Sequence, residues 1–568
     1  MIIWCLGNTT VRSPYRFRDG LIALDSSSLQ GNLRGEESEK AFCKLLGDNG
    51  IVSLKGDETY SVGRKWRSAL SKLGFLYPKL TGKQSKFQSE LGLADTITEN
   101  GRRLINSEIV TGWQECFLRS LAAYYIPSVL EPRHDCDIFS PLRHTLAVML
   151  QLENKTGENR LNFLEMGLIV QLTYKKDGVV KITDNILNFR EDRGKSSRKR
   201  KFDQEALDNA AKTYGLKSGT FKDYADTNFR YLKATGLVQN KGKGIALVSE
   251  KRVFIEQLVK DTDIPSDNLL YIKSLCSGSI LPTDEQTGAM TVLNDLISQL
   301  DKRGKPYSIA GKNTDTPADI AIIRHEIEGK LSELNELDYA NKQLEYIEEI
   351  TGYMDLLITR KWSKELTNGN AIEIPKSEAP AYFEWTIWRA FLAINSLVNL
   401  PWESRRFKID QDFLPVGTAP GNGPDIIFEF EDMVLVVEVT LTTSSRQEAA
   451  EGEPVRRHVA KYAEDFTNTG KQVFGLFLAI NIDTNTANTF RLGEWYLKND
   501  QKIDLHIVPI ALIDFMQIMI ASSHDVSLML PKFQELLRNC RMYINKDAPE
   551  WKTKISELSK NVAENICP

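Results

Sequence analysis

Between Val434 and Val439 every residue except Glu438 is apolar. A strand of that composition is buried on both faces, which puts it inside an α/β domain. A carboxylate near the end of such a strand is costly unless it is paired or holds a cation. Just upstream, Gly421-Asn422-Gly423-Pro424 reads as a turn, Asp425 opens a strand over Ile426–Phe430, and Glu431-Asp432 is a tight turn. The two strands then form an antiparallel hairpin that sets Asp425 beside Glu438. With the backbone carbonyl of Val439 these acids make a hard, all-oxygen site suited to Mg²⁺.

The hairpin lies in the last of four segments. At 568 residues the chain has room for three or four domains of about 150 residues. Composition breaks suggest 1–130, 131–256, 257–377 and 378–568. In the last segment strand-like runs alternate with amphipathic helices, as in an α/β domain. Residues 257–377 are helical by pattern and charged, and read as a linker. Within them Ile320–Thr359 is one long helix or a helical hairpin. Folded once, it spans about 30 Å, or about 9 base pairs of duplex.

The N-terminal half carries basic helices. Glu36–Leu46 has helical periodicity. Ser61–Leu76 is a helix with Val62, Trp66, Ala69, Leu70 and Leu73 on one face and Arg64, Lys65, Arg67 and Lys72 elsewhere, stopped near Gly74. Thr96–Leu104 reads as the end of a strand running into a helix that bears Arg102 and Arg103. Phe221–Arg252 repeats the pattern. Tyr224, Thr227, Asn228, Arg230, Tyr231 and Lys233 fall on a helix ending at Gly236. Leu237-Val238 and Ile245–Val248 then flank a Lys241-Gly242-Lys243-Gly244 turn. A basic helix beside a Lys-Gly wing suits a major-groove reader with phosphate contacts next to it. The alternative for either copy alone is a packing unit with a solvated basic face. The recurrence favours two winged-helix-like DNA-recognition domains, 1–130 and 131–256. The run Arg193–Lys201, with six basic residues and no acidic one, reads as a mobile loop that adds non-specific attraction to phosphates.

Charge and cysteine usage narrow the class. With 72 Lys+Arg against 76 Asp+Glu the formal net charge is −4, unlike a nucleic-acid coat protein. No apolar run reaches the ~20 residues that span a bilayer, and MIIWCLGNTT has no secretory pattern. Seven scattered cysteines with no CxxC pair exclude a zinc ribbon and a disulfide framework and suggest the cytoplasm. His134, His144, His325, His506 and His524 show no metal-ligand spacing.

Four motifs then fall in order: Phe383-Glu384-Trp385 with Trp388, Gly421–Asp425, Glu438-Val439-Thr440, and Glu451-Gly452-Glu453-Pro454-Val455-Arg456-Arg457-His458. Together they resemble the AlwI-type family of type IIS restriction endonucleases and site-specific nicking endonucleases, a PD-(D/E)xK-like group. The resemblance is strong over Phe383–His458 and weaker around Asn228–Glu250. The N-terminal 130 residues match in layout more than in letters. It implies a catalytic cluster of Glu384, Asp425, Glu438 and Glu451, with Glu453 as the alternative to Glu451. Arg457 and His458 are the candidates for holding the scissile phosphate or moving a proton. Thr440 stands where the usual motif has lysine, so the positive charge must come from another group or from the metal. The implied activity is Mg²⁺-dependent hydrolysis of double-stranded DNA to one side of a short asymmetric site. A transient homodimer through the C-terminal domain, or a second subunit, would be needed to cut both strands. The alternatives are a strand-specific nicking enzyme and a non-cutting winged-helix regulator.

Overall fold

The computed structural model describes residues 3–566 apart from 55–56, 58, 261–263, 266 and 524; His524 and Cys567 lie outside the described residues. The chain is a mixed α/β protein rich in helices, divided into two compact units, Met1–Glu328 and Gly329–Pro568. Four segments were expected, and the difference lies in 257–377, which is not a free-standing spacer. In the first unit, helices Arg252–Lys260, Asn268–Ser277 and Gln286–Lys302 bury Leu258, Tyr271, Leu275, Leu293 and Leu300. Each such side chain gains roughly 1.5–3 kcal/mol by leaving water, so the segment is drawn into folded cores. Ile320–Thr359 resolves into two helices, Pro317–Asn341 and Ile347–Thr359, separated by a 3-10 turn at Gln343–Tyr346. The division between the units falls within the first of them.

In the first unit α1 (Ser61–Lys72) ends as expected, and Gly74 follows at φ +73°. Leu76 bridges Ile97 antiparallel, and α2 (Glu99–Asn106) starts at Thr98, whose hydroxyl accepts from the Gly101 N–H at 3.1 Å. Further on come α3 (Pro141–Thr156), β1 (Leu161–Asn162), α4 (Ser218–Ala234), β2 (Val238–Asn240) and β3 (Gly244–Leu247). The three strands form one antiparallel sheet in the order β1-β3-β2. Arg193–Lys201 is not a loop. One helix runs Val179–Lys195, the next Lys199–Tyr214, and the pair is closed by Phe189 against Phe202 (5.5 Å between centroids) and by Arg193 Nε to Asp203 Oδ1 at 2.6 Å.

The second unit has one core, running from Ala340 to Ile566. Its elements include α5 (Ile347–Thr359), α6 (Ala379–Leu392), β4 (Ile426–Glu429), β5 (Met433–Thr440), α7 (Arg446–Asp465), β6 (Gln472–Ala479), β7 (His506–Ala511), α8 (Leu512–Ser522) and α9 (Ala548–Ile566). The main sheet has the order β7-β6-β5-β4, with β4 and β5 antiparallel and the other pairs parallel. Helices cover the sheet. Phe391 of α6 stacks on Phe428 of β4 with centroids 4.5 Å apart. Val459 of α7 occupies the space that a Cβ would need at Gly475 of β6, so the absent side chain lets that helix approach. Among the described residues no helix is long and apolar enough to cross a membrane, and the six cysteines there are free thiols.

Candidate active site

The hairpin register pairs Ile426 with Val437; carried one residue further, it sets Asp425 across from Glu438. Asp425 Oδ2 accepts the Val439 N–H at 2.8 Å, which fixes the carboxylate against the end of β5. Glu438 is buried, and its Oε1 lies 2.5 Å from His458 Nδ1 on α7. His458 Nε2 is buried and has no protein partner. Glu451 stands two turns before His458 on the same helix, an i, i+7 relation that shares one face, and it accepts the Thr440 hydroxyl. Glu384 comes from α6, also buried, and its Oε2 accepts the Ala419 N–H at 2.7 Å.

Electrostatics ties these groups together. Burial holds Glu384 well above the usual carboxylate range, and the charge of Asp425 adds to it. Burial raises Asp425 well above its ordinary value too, Glu438 adding to the effect and the Val439 N–H opposing it. Glu438 is pushed up to about 8 by burial and then by Glu451. Burial raises Glu451, with the Thr440 hydroxyl opposing. Burial lowers His458, with Arg457 and Arg406 behind it. Each group resists ionisation, as expected of acids that crowd together where positive charge is scarce.

Glu451 sits on α7, which already begins at Arg446 and carries Pro454 in its interior. Gln, Ala, Glu and Arg around Gly452 and Pro454 favour a helix. Glu453 is exposed and pairs with Arg457 at 2.9 Å, so both stand at the surface. Arg406 went unnoticed in the sequence. Its Nη1 donates to the Pro424 carbonyl at 2.9 Å and its Nη2 to Asn422 Oδ1. It sits in an irregular segment, and no periodicity marks it.

The residues expected to face DNA divide into three groups. Arg64 and Lys65 are exposed on α1, and Lys241 and Lys243 are exposed around Gly242 (φ +58°) between β2 and β3. Arg102 pairs with Asp25 at 2.6 Å, Arg103 with Glu99 at 3.0 Å and Arg230 with Asp226 at 2.9 Å, while Lys233 donates to Asn240 Oδ1 at 3.1 Å. Two are internal and do not face DNA. Arg67 is buried, donating to the Leu33 carbonyl at 3.1 Å and pairing with Glu39 at 3.1 Å. Asn228 is fully buried, accepting the Leu6 N–H at 2.8 Å and donating to Gln171 Oε1 at 3.1 Å. Both satisfy buried backbone groups that would otherwise be costly.

Among the described residues no three His, Cys, Asp or Glu side chains close into a ready metal cage. The four acids nonetheless form an all-oxygen donor set, which suits a hard divalent cation.

A match of residues 71–518 to the family model described as AlwI restriction endonuclease defines the class: this is a restriction endonuclease. The match covers more than three-quarters of the chain, and the protein belongs to the AlwI restriction endonuclease family. It is accordingly a nuclease that binds DNA. The chain is also similar to the small subunit of the heterodimeric restriction endonuclease R.BspD6I, at 25% identity and a TM-score of 0.28, over 36% of this chain and 97% of that one. No curated protein matches it.

Proposed function

We propose that the protein is a type IIS enzyme: a Mg²⁺-dependent endonuclease that reads a short asymmetric duplex site with its first unit and hydrolyses a phosphodiester bond to one side of it with its second. The observation that carries this reading is the convergence of Glu384, Asp425, Glu438 and Glu451 at the end of the β4–β5 hairpin, each raised by burial and three of them by one another. An acidic pocket that resists ionisation is one that a cation completes. The arrangement supports a PD-(D/E)xK-like centre with Thr440 in the lysine place.

Asp425, Glu438 and the Val439 carbonyl are the groups that would hold the ion. Its chemistry is electrostatic stabilisation of a phosphodiester that is gaining negative charge. The protein's own part is proton management. Glu438 Oε1 and His458 Nδ1 stand 2.5 Å apart, within reach of one proton, with burial raising Glu438 and lowering His458. In the first unit α4 followed by the β2–β3 wing supports a winged-helix reader, with Lys241 and Lys243 at the wing tip for phosphates. Arg64 and Lys65 provide a second basic surface.

Asp425→Ala and Glu438→Ala are expected to lower cleavage of a specific duplex by at least about a hundredfold, since a metal centre supplies several kcal/mol of transition-state stabilisation. Specific binding of uncleaved DNA should stay within about threefold of wild type, below ~1 kcal/mol. Either variant retaining more than about a hundredth of the wild-type rate would remove these residues from the chemistry.

A further inference from the structure

Arg406 belongs to no motif, yet the motif around Asp425 is built against it. The preceding residue is anchored first. Arg405 forms an antiparallel bridge with Ile426, and its guanidinium grips the buried Glu336 through Nε–Oε1 at 2.7 Å and Nη2–Oε2 at 2.8 Å. Adjacent residues in extended backbone point to opposite sides. With Arg405 held on Glu336, Arg406 is directed towards the turn before Asp425.

There its fork closes on two residues, the Pro424 carbonyl at 2.9 Å and Asn422 Oδ1. Between them a Cβ at Gly423 would collide with the same guanidinium. Each member of Asn422-Gly423-Pro424 therefore has a reason: an acceptor, an empty space and a carbonyl held in place. A planar fork can bridge two acceptors at once, and an ammonium on a flexible stem cannot do so with the same fixed geometry.

We propose that Arg406 is the positioning residue of the cation-binding aspartate: its guanidinium clamps the Asn422–Pro424 turn and so fixes Asp425 across from Glu438 in the arrangement that admits a divalent ion. This rests on the reading of the acidic pocket as a cation site. The charge of Arg406 also opposes the burial that raises Glu384 and Glu438.

The test uses the full-length protein without DNA, titrated with MnCl₂ in a calorimeter, and four proteins: wild type, Asp425→Ala, Arg406→Lys and Gly423→Ala. Arg406→Lys keeps the charge and loses the fork. Gly423→Ala keeps Arg406 and pushes its flexible end off the turn. Partners that orient metal ligands typically contribute about ten- to hundredfold in affinity. Both variants are expected to weaken Mn²⁺ binding by at least about tenfold, with melting temperature and metal-free DNA binding unchanged, and cleavage should recover at high Mn²⁺. Loss of binding in Asp425→Ala, with wild-type affinity in both Arg406→Lys and Gly423→Ala, overturns the clamp. Wild-type protein that takes up no Mn²⁺, or Asp425→Ala that binds it normally, overturns the cation site itself.

Discussion

Glu451 and Glu453 stand two residues apart on α7, and a helix turns such neighbours by about 200°. Glu451 therefore meets Thr440 at the pocket while Glu453 meets Arg457 at the surface. Glu451→Gln should slow single-turnover cleavage by at least about thirtyfold, roughly 2 kcal/mol of barrier, and Glu453→Gln should leave it within about threefold. The reverse order of effects would put the wrong acid in the pocket. Asp425 and Glu438 were legible in the sequence because a hairpin with a recognisable turn fixes its own register. Arg67 and Asn228 misled because periodicity finds the apolar face of a helix but does not say which polar residues are buried beside it. Arg406 was illegible for a different reason: its partners lie across an irregular loop that no pattern predicts. A further residue reports on the fold's response to acid. His144 on α3 is buried between Trp4 and Phe139, with Nε2 3.2 Å from the Thr173 hydroxyl, and burial lowers it to about 4. Between its unfolded value and about 4 the unfolded chain binds a proton that the folded chain does not, so stability falls as pH falls through that window. The loss reaches on the order of 3 kcal/mol near pH 4. Thermal melts from pH 7 to 4.5 should show a shallower acid slope for His144→Gln than for wild type, and equal slopes would contradict this assignment.

The elements were read better than their grouping. Helices at Glu36–Asp48 and Ser61–Lys72, the wing strands around Gly242 and the β4–β5 hairpin all follow from local pattern. The boundary after residue 256 does not, because a charged helix looks like a linker until its few apolar residues find a core. Leu258 shows the consequence: it is buried, and its carbonyl accepts Arg143 Nε at 3.1 Å. Leu275 lies against Gly74, and a Cβ there would strike its carbonyl. A fragment ending at 256 cuts the helix Arg252–Lys260 and removes Leu258, Tyr271, Leu275 and Leu293 from the first unit. Losing several such side chains, each worth roughly 1.5–3 kcal/mol, is comparable to the whole reserve of an ordinary domain, about 5–15 kcal/mol. Residues 1–328 expressed alone should therefore melt cooperatively and shift a specific duplex in a gel. Residues 1–256 should show no cooperative melt. Binding by the longer fragment should weaken with salt, and Lys241→Ala with Lys243→Ala should lower the log–log slope by about 2, near 0.9 for each phosphate no longer neutralised. An unchanged slope would mean the wing does not touch the backbone.

At the scale of the whole molecule the decisive fact is arithmetic. The acids Glu384, Asp425, Glu438 and Glu451 of the second unit come from motifs that its sequence does not repeat. The strands of B-DNA are antiparallel, so a centre oriented for one scissile phosphate meets the other strand in the wrong sense. One chain is then expected to cut one strand per encounter. Supercoiled plasmid carrying a single site should pass first to the nicked circle. Linear DNA, where it forms, requires a second centre of opposite orientation, supplied by another copy of the second unit or by a different subunit. If another copy supplies it, the rate of the second cut should rise more steeply than in proportion to enzyme concentration, and the rate of the first should stay proportional. If the nicked circle persists at every concentration, the protein is a strand-specific nicking enzyme when alone. A time course at several enzyme concentrations separates these, with a plasmid lacking the site as control. Linear product that appears without a nicked precursor, strictly first order in protein, would contradict the single centre and require that one chain reach both strands.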